Sequence, residues 1–217
     1  MTTSEIITAV DKYRAESGTD ERYTSFDYCY NYFITTSDLE LDIEKSCLTL
    51  GFYLASWGMF RGSSFLLQKS LKHFQPTISY INKLDRSVWE IDVDKYNNHN
   101  IKKIIEIYSD LKAHFIPTGK TDLTLITKVL LGVFGFIPAF DNNFCNAFRR
   151  VSNYQCGFRK VNTKSLMEIK QFYDSNFDVI DNLSKTIFTT DFKSGQKTDI
   201  NYPKAKIIDM YGFISGQ

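Results

Sequence analysis

Between Phe115 and Val151, one carboxylate and several basic side chains are spaced to do chemistry. Asp141 follows Ile137, Pro138, Ala139 and Phe140, and proline at the first position of a helix would set Asp141 in the first turn. A carboxylate fixed among such apolar neighbours can stabilise a developing positive charge, or orient and activate a water. Burial would push its pKa up while the helix dipole would pull it down, and the sequence leaves that balance open. The same residue also reads as an ordinary early-turn acid that stabilises its helix. Upstream, Pro117-Thr118-Gly119-Lys120-Thr121 forms a turn that leads into an apolar helix. Free amides at the start of that helix can grip a phosphate, and Gly119 lets the backbone come close to it. A Pro-x-Gly turn between any two helices would look the same.

Charge follows the same stretch. Residues 112–164 carry Lys112, Lys120, Lys128, Arg149, Arg150, Arg159, Lys160 and Lys164 against Asp122 and Asp141, a net +6 within a chain of net +1. Such a patch suits phosphate, because neutralising backbone charge supplies most sequence-independent affinity for nucleic acid. The alternative is a cluster of basic residues on a solvated face.

The stretch resembles the helix-hairpin-helix superfamily of DNA glycosylases. Ile116-Pro117-Thr118-Gly119 stands where the family has its hairpin. Pro138-Ala139-Phe140-Asp141-Asn142-Asn143 through Arg149 stands where it has Pro-x-x-Asp-x-Asn and a helix ending in arginine. The hairpin is one residue short of the usual pattern, and the cysteine loop of the iron–sulfur members is missing. The resemblance implies a DNA N-glycosylase, with Asp141 as the catalytic carboxylate that stabilises the sugar cation or activates water. It further implies that Gly119, Lys120, Thr121, Lys128, Asn143, Arg149 and Arg150 contact DNA. A flipped base would lie in a pocket between helical lobes, for which Tyr53, Trp57, Phe60 and Arg61 are candidates. Bifunctional members use a lysine after the hairpin as a Schiff-base nucleophile; Lys120 comes a few residues early and Lys128 several late, which favours a monofunctional, water-using enzyme. Repair and defence against phage DNA are both open roles. Two other readings compete: a helical DNA- or RNA-binding protein without the chemistry, and a helical protein-interaction module.

The elements that must position these residues read as helices throughout. Expected helices cover 3–17, ended by Gly18; 22–34; and a long one from the capping box Ser37-Asp38-Leu39-Glu40 to Phe60, with Leu41, Leu48, Phe52, Ala55 and Met59 inward. Its far end, 51–62, is apolar on nearly every face, and its small residues serve either tight packing or the approach of a ligand, with Tyr53, Trp57 and Arg61 lining a cavity. Ser63 or Ser64 caps a helix to His73, Pro76 opens one to Leu84, and 85–100 is a connection with a short strand near Val88–Val93. Helical spacing resumes at 100–115. A loop covers 152–162, Thr163 caps a helix to Ser175, and a short helix spans 177–186. Thr189–Thr198 reads as a polar, flexible turn, and 202–214 returns as helix or strand.

The 217 residues, with 43% hydrophobic and 24% charged, are ordinary for a globular protein, and the helical periodicities and caps predict an all-α fold. It is expected as a single helical domain over 1–217, or two packed lobes forming a compact bundle whose cleft is lined by 51–62 and 115–151. No apolar run reaches bilayer length and no leader is evident at the N-terminus, so a cytoplasmic monomer is expected. Cys29, Cys47, Cys145 and Cys156 lack ligand spacing and are expected as reduced, small apolar residues; no metal and no cofactor are expected.

Overall fold

The computed structural model describes residues 3–217; Met1 and Thr2, the start of the segment read as lacking a leader, lie outside them. Among the described residues, ten α-helices and one small hairpin make an all-α fold, and the buried side chains form one continuous cluster. The helices are α1 (Thr3–Ala15), α2 (Ser25–Thr35), α3 (Ile43–Ser56), α4 (Gln75–Asn82), α5 (Asn98–Phe115), α6 (Leu123–Phe134), α7 (Asn142–Val151), α8 (Thr163–Asp174), α9 (Phe177–Thr186) and α10 (Lys204–Ser215). Strands β1 (Phe188–Thr190) and β2 (Lys197–Asn201) pair antiparallel between α9 and α10. No helix among the described residues is long and apolar enough to cross a membrane.

Helix α3 differs most from its sequence reading. It starts at Ile43, because Asp42 caps it by accepting from Lys45 N at 3.0 Å, whereas Glu40 accepts from the Ser79 hydroxyl on α4. It stops at Ser56, because Gly58 takes φ +73° and Met59 N bonds back to Leu54 O, an arrangement that ends a helix. The inward face is Cys47, Leu50, Gly51, Tyr53 and Leu54. Leu41, Leu48 and Phe52 point to solvent, at 87%, 52% and 73% exposure. The segment 63–74 forms two 3-10 turns instead of a helix, and so does 86–95 in place of the expected strand. Ordered strands occur where a flexible turn was expected. There the buried Asp27 carboxylate accepts from Thr190 N at 2.8 Å and from the Tyr202 hydroxyl, which fixes both ends of the hairpin to α2.

Two close approaches bring the last helix against the site. A Cβ on Gly212 would lie 2.5 Å from the Phe144 ring, and one on Gly216 would lie 1.8 Å from the Asn143 carbonyl oxygen. Only glycine lets α10 come that near to α7. The other face of α10 meets α1, where Lys206 Nζ donates to Tyr13 OH at 2.9 Å.

Candidate active site

The route from α5 to α7 is built by a few specific bonds. Lys120 N closes a turn on Pro117 O at 3.1 Å, with Gly119 at φ +80°, as a glycine-bearing turn requires. Asp122 does not cap α6; its carboxylate accepts from Tyr108 OH at 2.6 Å and pairs with Lys112 at 3.1 Å, which closes the α5–α6 hairpin. Helix α6 ends at Gly135, φ +72°. The following Phe136–Phe140 is buried, and four of its backbone groups are satisfied by side chains. Tyr96 OH donates to Phe136 O, Asp209 Oδ1 accepts from Ala139 N at 3.0 Å, and Thr127 Oγ1 accepts from Phe140 N at 2.8 Å. Thr124 Oγ1 donates to Phe140 O at 3.0 Å.

Asp141 then stands one residue before α7, not inside its first turn. Pro138 belongs to the buried irregular segment, so the helix opens on the aspartate itself, and Asp141 Oδ1 accepts from Phe144 N at 3.0 Å. Its other oxygen, Oδ2, lies 3.3 Å from Lys128 Nζ. Lys128 is only 4% exposed, and its ammonium lies 4.7 Å from the Trp57 ring centroid. Trp57 stacks parallel to Tyr23 at 5.4 Å and meets Phe213 edge-on at 5.8 Å. Its indole nitrogen is buried without a hydrogen-bond partner.

A cavity of about 870 Å³ opens beside this group. Asp141, Asn142 and Asn143 line it from the start of α7, and Leu123, Thr124 and Leu125 from the start of α6. The basic side chains Arg22, Arg61, Lys120 and Lys128 line it too, with Asp141 as the single carboxylate among the described residues. Two helix N-termini together with Arg22, Arg61 and Lys120, beyond the Lys128–Asp141 pair, make the wall attractive to anions. Arg61 folds back over Gly58, where a Cβ would come within 3.0 Å of the guanidinium.

The structure gathers Asp141, Lys120, Thr121, Lys128, Asn143, Trp57 and Arg61 around this one cavity. Other residues of the sequence reading lie elsewhere. Tyr53 is 2% exposed, with its ring filling the space beside Gly132, so it belongs to the core. Phe60 stacks on Phe74 at 6.3 Å and does not line the cavity, because the turn at Gly58 carries it away. Gly119 shapes the turn without lining the wall. Arg149 and Arg150 lie at the far end of α7 and are used locally: Arg149 Nε donates to Gly157 O at 3.0 Å and Arg150 donates to Ser215 O. Lys128 is too buried and too firmly paired to serve as a surface phosphate contact.

Arg22 and Phe213, from opposite ends of the chain, were not found from sequence. Neither belongs to a local pattern that marks a site. Lys206 and Asp209 did leave a signal, as charges inside the otherwise apolar run Ala205–Gly212, which α10 buries. The four cysteines are buried free thiols, and burial raises the thiol pKa of Cys29, Cys47 and Cys145. Comparison of the chain with models of protein families, with curated proteins and with solved structures finds no match.

Proposed function

We propose that this protein cleaves the N-glycosidic bond of a flipped base in DNA, with Asp141 facing the sugar. The observation that carries the reading is the convergence of a lone carboxylate, two helix N-termini and four basic side chains on one cavity. Phosphates flanking the target would meet Arg22, Arg61, Lys120 and the first-turn amides of α6, in the manner of other helix N-terminal phosphate sites. Cleavage sends the bond's electron pair to the departing base and leaves positive charge on the sugar. Asp141 stabilises that charge and accepts a proton from the water that adds to C1′. Lys128, beside it, keeps the carboxylate oriented.

A second reading is favoured by the 3.3 Å between Lys128 Nζ and Asp141. The amine, having lost a proton to Asp141, would itself attack C1′ and displace the base with its electron pair; the C1′–O4′ bond then breaks, O4′ takes up a proton, and the ring-opened Schiff base permits strand cutting. Mass spectrometry of bases released from normal, damaged and modified DNAs tests the reading, and borohydride trapping separates the two routes. A covalent adduct that disappears in Lys128→Met assigns the amine, and base release without trapping assigns water. Salt-dependent DNA binding with no base released from any substrate would leave a non-enzymatic binding protein. Absence of binding would leave an interaction module.

A further inference from the structure

A second ion pair, on α10, lies behind the cavity wall, bonded to the segment before Asp141 and facing the same Trp57 ring as Lys128. Lys206 is 1% exposed, and its Nζ lies 2.8 Å from Asp209 Oδ2 and 2.9 Å from Tyr13 OH. That ammonium is 5.3 Å from the Trp57 ring centroid, and Lys128 approaches the same ring at 4.7 Å. Asp209 Oδ1 accepts from Ala139 N at 3.0 Å, two residues before Asp141. Asp141 N in turn bonds to Ala139 O at 2.9 Å, so 139–141 is a tight unit that transmits any displacement of Ala139. A buried ion pair is weak evidence for stability, since apolar residues of similar volume often do as well or better. The bond to Ala139 gives this pair another use.

We propose that Asp209 is a positioning residue for the Lys128–Asp141 pair. Its bond to the Ala139 amide sets where the Asp141 carboxylate lies, while Lys206 orients Asp209 and backs Trp57. The catalytic consequence rests on the function proposed above, but the placement of Lys128 and Asp141 does not.

Two double variants separate the bond from the charge. Lys206→Gln/Asp209→Asn is neutral and keeps every link: the asparagine oxygen accepts from Ala139 N, and its amide donates to the glutamine, which donates to Tyr13. Lys206→Met/Asp209→Leu removes the acceptor for Ala139; should leucine at 209 prevent folding, Asp209→Ala replaces it. The first readout is reductive methylation of Lys128 by formaldehyde and cyanoborohydride, followed by peptide mass spectrometry. Exposed Lys102 serves as reagent control, and alkylation of buried Cys29 by N-ethylmaleimide reports global opening. Methylation of Lys128 should rise on the order of tenfold in the severed variant, by local opening, while Cys29 is unchanged. The neutral variant should label at the parent's rate. A severed variant that labels like the parent, a parallel rise of Cys29, or equal loosening in both variants overturns the proposal. In base release, severing should lower kcat on the order of tenfold or more with KM little changed, the scale of a displaced catalytic group. A severed variant with the parent's kcat would also overturn it. If the parent releases no base, the proposed function fails and the labelling alone decides the placement.

Discussion

Replacing Asp141 by asparagine separates two jobs that one carboxylate holds. Oδ1 caps α7 through Phe144 N at 3.0 Å, and Oδ2 pairs with Lys128 at 3.3 Å. Asparagine caps as well as aspartate, so the cap survives, whereas alanine at this position loses about 1 kcal/mol. Losing the charge leaves Lys128 buried without its partner. Breaking a fully buried pair costs about 3–5 kcal/mol. The Asp141 side chain is 18% exposed. Water can therefore share the load, and about 1–3 kcal/mol is expected for the asparagine variant. In a domain of this size each kcal/mol moves the melting point by about 2–4 °C, so asparagine should lower it by about 2–12 °C and alanine by about 2–4 °C more. Base release should fall about a hundredfold in both variants, equivalent to about 2.7 kcal/mol of barrier. DNA affinity should hold or tighten, since a negative charge near phosphate is gone. Thermal melting, DNA binding and single-turnover base release are measured on one preparation. An asparagine variant that releases base at the parent's rate ends the catalytic assignment, and activity that merely follows the folded fraction assigns Asp141 to a structural role.

Lys120→Ala, Arg61→Ala and Arg22→Ala should each weaken DNA binding irrespective of sequence and reduce the slope of log affinity against log salt by about 1, whereas Arg149→Ala, tied to Gly157 O, should leave that slope unchanged; titrations at several salt concentrations decide. Gly212→Ala drives a methyl into Phe144, and overpacking of this kind should cost about 1–3 kcal/mol, read as a lower melting point. Burial raises the Asp92 carboxyl to about 6, against the pull of the Val93, Lys204 and Ala205 amides. An acid with a raised folded pKa binds its proton more tightly when folded, so its contribution to stability is greatest below about pH 4 and is lost as pH rises through about 6. Asp92→Asn should therefore flatten the fall in melting point across that window, and a slope identical to the parent's would contradict the assignment.

Local pattern made the α5–α7 stretch legible, because turns, caps and charge are properties of neighbouring residues. Gly119, the helix opening near Asp141 and the apolar α6 all follow from such signals. Helix α3 was legible as a helix but not in its facing. Leu41, Leu48 and Phe52 are apolar yet exposed, and the buried face instead uses Cys47, Gly51 and Tyr53, which the fold selects by what packs on them. Cys47, Gly51 and Tyr53 do not stand out as a stripe. The walls of the cavity were legible only in part. Arg22 and Phe213 join it through tertiary packing, and Lys206, behind the wall, is held the same way by Tyr13, 193 positions away. Periodicity within one helix holds no information about such pairs.

The seating of α10 against α7 also has a consequence for the order of synthesis. The stretch from Pro117 to Asn143 emerges early enough to form its helices, but Phe213 and Asp209 emerge roughly 70 residues later, several seconds at ordinary rates of translation. Until then Ala139 lacks its acceptor and Gly212 has not seated on Phe144. The cavity is thus assembled only once α10 has been made. A nascent chain would carry its cations and its carboxylate without holding them together, and contacts spanning so much sequence slow the final step of folding.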